Sequence, residues 1–226
     1  MKKKHFEISP SILSADFANL QKEVEAVTQA GADYLHVDVM DGHFVPNLTI
    51  GAPVVAALKR VSKIPLDCHL MITNPEKYIS DFAQAGAEII TVHYELSQDS
   101  SEQNAKTLAS LIKAHGCRAG LSIKPKTPAQ EIFHLLGLFD LILVMSVEPG
   151  FSGQKFIPEC ALKLGELKRE IDRQGLSCLL EIDGGINEET AKACGDADIL
   201  VAGHMVFRSP SYTEAIQKLK AAKLTS

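Results

Sequence analysis

A closed (β/α)8 barrel is the fold this sequence predicts, and three observations predict it. Short β-type runs alternate with helical patterns through all 226 residues. No linker or low-complexity stretch interrupts the alternation. The corner Ala-Gly-Ala recurs at 30–32 and 85–87, each time between a helical pattern and a strand pattern. Eight strand–helix units in so short a chain suit a closed barrel better than an open doubly wound sheet. One barrel domain over residues 1–226 is therefore expected.

The expected strands are 6–12, 33–40, 66–71, 88–94, 118–123, 141–147, 177–183 and 199–202. The helical patterns between and after them cover 16–30, 51–60, 75–85, 101–115, 128–137, 158–174, 187–194 and 211–223. Gly31, Gly86, Gly116 and Gly175 stand where helices should stop before the next strand begins. The formal net charge of −5 gives no overall attraction to nucleic acid or to an anionic membrane. Lys2-Lys3-Lys4 is not followed by an apolar segment and reads as a solvated terminus rather than a targeting signal. The apolar run near 141–145 is too short to span a bilayer. Five scattered cysteines without a paired spacing favour buried thiols in a reducing compartment, the cytoplasm.

The strand at 34–40 has two incompatible faces. Leu35, Val37 and Val39 alternate with Tyr34, His36, Asp38 and Met40. Strands of a parallel sheet are normally apolar on both faces, so inward His and Asp side chains cost stability unless paired or bound to a metal. Leu66–Met71 and 180–183 repeat the pattern with Asp67 and His69 and with Glu181 and Asp183. Active sites of such barrels lie at the carboxyl ends of the strands, where Asp38, His69 and Asp183 fall, with His36 one pleat deeper. Two imidazoles and two carboxylates suit one divalent ion: zinc, or alternatively iron, manganese or cobalt. His93, His115 and His134, each alone among its neighbours, read as hydrogen-bonded core residues.

Glycines at the last strand ends suggest an anion site. Gly184-Gly185-Ile186 follows Asp183, and Gly203-His204 follows the eighth strand, with a short helix expected after it. Gly150 and Gly153 in the preceding loop strengthen the phosphate reading. The loops 41–47 and 148–154 each mix Gly and Pro with one Phe and read as covers for the site. A metal, a phosphate anchor and Asp38 and Asp183 on different sides of the mouth specify proton removal next to a carbonyl and return on the opposite face. Met40, Met71 and Met145 fall inward at one depth; they pack the core and could keep water from the reacting atoms.

These motifs closely resemble the ribulose-phosphate 3-epimerase family of phosphate-binding (β/α)8 barrels. The likeness runs through 9–16, 36–47, 66–71, 146–154 and 183–186 and covers essentially the whole chain. It implies interconversion of D-ribulose 5-phosphate and D-xylulose 5-phosphate in the pentose phosphate pathway. It assigns His36, Asp38, His69 and Asp183 to the metal and Asp38 and Asp183 to the acid/base pair. Around the substrate it places Ser11, His69, Gly150, Phe151, Ser152, Gly153, Asp183, Gly184, Gly185, Ile186, Gly203 and His204. A pentulose phosphate and further copies of the same chain are the expected partners, with no nucleic acid and no membrane. Ser152 stands where the family loop generally has Gly, and His204 where a Ser is usual. The His204 imidazole has two readings, solvent-facing or within reach of the phosphate. A 3-epimerase of a six-carbon ketose 6-phosphate is the alternative substrate reading. A metal-free barrel enzyme would need a lysine near the strand ends, where Lys124 is the candidate, and a non-catalytic binding module would leave the paired aspartates without a reason.

Overall fold

The structure is a computed structural model that describes residues 5–96 and 101–223, so Lys2-Lys3-Lys4 lies outside the described residues. Eight parallel strands run β1 (Glu7–Ser9), β2 (Leu35–Met40), β3 (Leu66–Met71), β4 (Ile89–His93), β5 (Arg118–Ile123), β6 (Leu141–Met145), β7 (Leu179–Asp183) and β8 (Ile199–Val201). They pair in the order β1-β8-β7-β6-β5-β4-β3-β2. A parallel bridge between Ser11 and His36 joins the two ends of that order, with the His36 N–H donating to Pro10 O at 3.0 Å. The eight strands thus close into the expected barrel. The helices are α1 (Leu20–Gln29), α2 (Ala52–Val61), α3 (Ile79–Gln84), α4 (Ser101–Ala114), α5 (Glu159–Gln174), α6 (Glu188–Lys192), α7 (His204–Phe207) and α8 (Tyr212–Ala222). Among the described residues no helix is long and apolar enough to cross a membrane.

The helix expected over 75–85 divides into a 3-10 turn at Pro75–Lys77 and α3, and three further differences have a local reason. The first strand stops at Ser9 because Pro10 has no N–H for a ladder, and Ser11 then caps a 3-10 turn by accepting the Leu13 N–H. The helix expected from residue 16 begins at Leu20, because the Asp16 carboxylate accepts the Ala18 N–H and caps a separate 3-10 turn. Residues Ala129–Leu138 wind as a 3-10 helix. Ala129, Ile132 and Leu135 are buried there at intervals of three, the period of that helix, so its apolar stripe faces the barrel without drift.

Alternation along the strands sorts side chains into two cores. Outward residues such as Val37, Cys68, Val92, Leu121 and Ile182 pack under the helices in the main apolar cluster. A smaller cluster of Ile89, Leu141, Leu143, Met145 and Ile199 fills part of the interior. The rest of that interior is polar and buried: Ser9, His36, Asp67, His69, Thr91, His93, Ser122 and Glu181.

A repeated contact sets the register at the amino-terminal floor. Asp33, Glu88, Asp140 and Asp198 stand just before the even strands β2, β4, β6 and β8. Each backbone N–H donates to a carbonyl on the preceding odd strand, those of Ile8, Leu66, Ala119 and Leu180. Each carboxylate accepts the N–H of that same residue, at 2.7 to 3.0 Å. Side chain and backbone together hold one residue of the neighbouring strand at a defined height.

Removing one clamp should cost stability without touching the site. Asp198→Ala is expected to lower unfolding stability by about 1–3 kcal/mol, the range for a hydrogen bond to a charged group or a stranded buried donor. Asp198→Asn, which keeps an acceptor oxygen, should lose less. Urea denaturation of both variants checks this, and equal stability of Asp198→Ala and the parent chain would refute the clamp.

Candidate active site

The register of the barrel brings the polar residues of β2, β3 and β7 to one level. Asp38 pairs with His69 across β2 and β3, and His36 pairs with Asp67 one pleat below. The side chains of His36, Asp38, His69 and Asp183 each offer an atom within 4.8 Å of all the others. His36 and His69 are completely buried, Asp38 is 5 % exposed and Asp183 is half-buried. All four residues expected from the sequence are therefore together.

Each is held from behind. The Ser11 hydroxyl donates to Asp38 Oδ2 at 2.6 Å, leaving Oδ1 3.3 Å from His36 Nε2 and 3.2 Å from His69 Nδ1. Asp67 Oδ2 accepts the His36 Nδ1–H at 2.7 Å, so it is His36 Nε2 that faces the cluster. That Nε2 has no hydrogen-bond partner. Ser146 pins the β7 end: its N–H and hydroxyl donate to Asp183 O, and the hydroxyl also reaches Gly184 O at 2.7 Å. Thr49 closes β2 by donating to Asp38 O and accepting the Met40 N–H.

The electrostatics of this cluster favour positive charge within it. Burial would push the Asp38 carboxyl up, but the adjacent imidazoles of His36 and His69 outweigh it and hold it well below the usual range. Burial and the nearby Asp38 charge push Asp183 up to about 7. His36 is driven well above its ordinary value, because Asp38 and Asp67 together overcome a burial cost that acts in the opposite direction. Protons are thus drawn to His36 and to Asp183, the response of buried groups to desolvation and surplus negative charge. A buried orphan Nε2 and two imidazole–two carboxylate donors fit a divalent ion, and the donor set does not choose among the candidate metals.

Asp38 and Asp183 line a cavity of about 240 Å³, with His36 and His69 beneath its floor. The cavity takes in the remaining expected positions: Ser11, Gly150, Phe151, Ser152, Gly153, Gly184, Gly185, Ile186, Gly203 and His204. Met40, Met71 and Met145 also line it and are almost wholly buried. The His204 side chain is exposed at the rim. Gly150 and Gly153 have φ of 133° and 74°, whereas no residue other than glycine has positive φ among those described, so Ser152 sits where the backbone does not require Gly. Lys124 does not line the cavity; its Nζ lies 3.9 Å over the Phe44 ring, which removes the support for the lysine-based alternative.

The loop 41–47 is anchored. Asp41 accepts the N–H groups of His43 and Phe44 on one oxygen and the N–H and hydroxyl of Thr73 on the other. Although partial burial opposes it, these donors hold the Asp41 carboxyl down at about 2. Asn47 Nδ2 donates to Gly150 O at 2.8 Å, tying this loop to 148–154.

Several members of the site were missed from sequence. His93, read as a core histidine, touches His69, with the two Nε2 atoms 2.8 Å apart, and its Nδ1 is 3.1 Å from Glu95 Oε2. His115 and His134 are exposed rather than core residues. Asp67 and Glu181, already on inward faces in the sequence pattern, meet His36 below the cluster, a contact the pattern did not reveal. Ser14 lines the cavity with its buried hydroxyl unpartnered, where a Cβ on Gly203 would fall 2.5 Å from it. The register that identifies them, Thr91 beside His69 and Ser122 beside His93, is readable only once strand pairing is known.

Residues 7–207 match the family model described as "Ribulose-phosphate 3 epimerase family". The ribulose-phosphate 3-epimerase of Mycobacterium tuberculosis is 49% identical over 94% of this chain and 91% of its own. The enzyme described as the cytoplasmic isoform from Oryza sativa is 46% identical over 95% and 92%. Among solved structures, a tryptophan synthase alpha-subunit of Pyrococcus furiosus superposes with a TM-score of 0.66 over 99% of this chain and 98% of that one. At 13% identity that likeness speaks for the barrel alone.

Without a cation, Asp183 keeps a proton below about pH 7 that an incoming ion must displace. Affinity for Zn²⁺, read by competition with a chromophoric chelator, is expected to fall as pH drops below 7. For each proton displaced the loss approaches about tenfold per pH unit. An affinity independent of pH between 5.5 and 7.5 would contradict this account.

Proposed function

The chain belongs to the ribulose-phosphate 3-epimerase family and carries that activity, and we propose that Asp38 and Asp183 are the acid/base pair that performs it. The observation that carries the proposal is the placement of two carboxyls on strands β2 and β7, three strands apart around the barrel, both facing one cavity. A sugar carbon between them presents one face to each. One carboxylate removes the proton next to the carbonyl, giving an enediolate, and the other returns a proton to the opposite face, inverting the centre.

His36, Asp38, His69 and Asp183 would hold the divalent ion, zinc or alternatively iron, manganese or cobalt. Bound there, it supplies Lewis-acid stabilisation of negative charge developing on the substrate oxygens. The remaining residues position and exclude. Ser11 keeps Asp38 oriented through its 2.6 Å hydrogen bond. The buried thioethers of Met40, Met71 and Met145 form an apolar wall beside both carboxyls, which limits water at the reacting carbon. Met40 and Met71 are register partners, and Met145 is the partner of Asp183, which supports a common depth.

At the other end of the cavity, Gly150–Gly153, Gly184–Ile186 and Gly203-His204 would receive the phosphate of D-ribulose 5-phosphate. Their common place in the lining of the cavity supports this; the absent side chains also serve packing, since at Gly185 a Cβ would sit 2.5 Å from Phe156 N and at Gly203 the neighbour is the Ser14 hydroxyl. His204 contributes its backbone there, with its imidazole at the exposed rim. The five cysteines are buried and free, which supports a reducing compartment such as the cytoplasm. Exposed Phe17, Leu48 and Tyr78 lie on the connections after β1, β2 and β3, neighbouring sectors of one rim, and support association of copies of this chain.

Asp38→Asn and Asp183→Asn should each lower turnover by about 10²-fold or more while circular dichroism stays native. Two bases also predict solvent deuterium in the product of a single turnover in deuterated water. A product free of deuterium would instead assign the transfer to one base moving one proton. Sedimentation of the chain at micromolar concentration tests association, and a monomer throughout would refute it.

A further inference from the structure

The contact between His69 and His93 assigns a proton. Two imidazole nitrogens 2.8 Å apart require one N–H and one bare lone pair. The far side of His93 decides which is which. Glu95 Oε1 accepts the Lys124 N–H at 2.7 Å and the Thr127 hydroxyl, and Oε2 lies 3.1 Å from His93 Nδ1. A carboxylate in that position can only accept, so His93 Nδ1 carries its hydrogen. In a neutral imidazole Nε2 is then bare, and the hydrogen in the His69–His93 contact belongs to His69 Nε2. His69 Nδ1, the nitrogen 3.2 Å from Asp38 Oδ1, is left with its lone pair toward the cluster.

We propose that His93 and Glu95 are positioning residues for His69: the chain Glu95–His93–His69 selects the Nε2–H form and aims Nδ1 at the divalent ion. The proposal rests on the reading of His69 as a ligand. His36 shows the same logic with one fewer link, its Nδ1–H held by Asp67 and its Nε2 bare. Ligating histidines are generally oriented by an acceptor on the second nitrogen. Here that acceptor is itself a histidine, so the carboxylate stands one ring further from the ion. His93 is 1 % exposed, and the Phe44 ring covers it with centroids 4.8 Å apart, so water does not replace either partner.

The test measures Zn²⁺ affinity by chelator competition in the full chain and in Glu95→Ala, His93→Phe, His93→Gln and Thr127→Val. Glu95→Ala and His93→Phe are expected to weaken binding about 10–100-fold. His93→Gln, which keeps an acceptor for the His69 N–H, should recover most of the loss. Thr127→Val removes a hydrogen bond to Glu95 without touching His93 and should bind as the parent does. In the Co²⁺-loaded parent, proton NMR should show two slowly exchanging, hyperfine-shifted imidazole N–H signals, from His36 and His69, and Glu95→Ala should speed exchange of one. Unchanged affinity in both Glu95→Ala and His93→Phe would overturn the proposal, as would an equal loss in Thr127→Val. Failure of the ligand reading is distinguishable: the parent would then bind no stoichiometric Zn²⁺, or His69→Ala would bind it undiminished.

Discussion

Four acidic side chains at the floor of the barrel hold the height at which everything above them stands. Asp33, Glu88, Asp140 and Asp198 each grip one residue of the neighbouring odd strand through two hydrogen bonds. In a parallel sheet a slip of one residue moves every side chain to the other face. A slip of β3 against β4, the pair that Glu88 clamps, would turn His69 outward into the apolar layer and leave Asp38 without it. A lone carboxylate at 5 % exposure costs several kcal/mol when nothing compensates it, on the order of the penalty for any buried ion. The floor contacts and the cluster at the mouth are therefore two ends of one constraint.

From that register the site is assembled in tiers. Ile89, Leu141 and Ile199 belong to the apolar part of the interior. His36, Asp67 and Glu181 form a buried polar group beside the four candidate ligands. Burial and the charge of Asp67 drive the Glu181 carboxyl well above its ordinary value, so it stays protonated and adds no further negative charge beneath His36. Above come the two aspartates, and around them the methionines and the glycine-rich ends of β7 and β8. Each tier comes from residues two apart along the same strands, which is why one strand can carry an outer apolar face and an inner reactive one.

Much of this was legible in the sequence because it follows from period-two alternation. His36 with Asp38, Asp67 with His69 and Glu181 with Asp183 each announced an inward polar face, and the four ligand candidates followed. Glycines before the strands marked the corners. What escaped notice depends on neighbours far along the chain. His93 ends the run Ile89–His93, whose other inward polar residue is the uncharged Thr91, and only pairing with β3 and β5 brings it against His69. Glu95 lies outside any strand, and its role arises from a 3-10 turn after β4 that returns it under His93. Local chemistry also moved boundaries: Pro10 shortened β1, Asp16 delayed α1, and the three-residue spacing after Pro128 selected a tighter helix.

The single hydrogen bond from Asn47 to the Gly150 carbonyl has a mechanical consequence. One of the two loops it joins is a fixed post, because Asp41 holds it with four donors and Phe44 lies against His93. The other carries exposed Phe151 and is braced internally by Gln154, whose amide donates to Glu148 O and Phe151 O. A braced segment fastened to a rigid post has few arrangements left to lose, so presenting its glycines to an occupant of the cavity sacrifices little conformational freedom. The bond also works as an alignment key, since Asn47 presents its amide at one place and thereby fixes where Gly150 stands above the cavity.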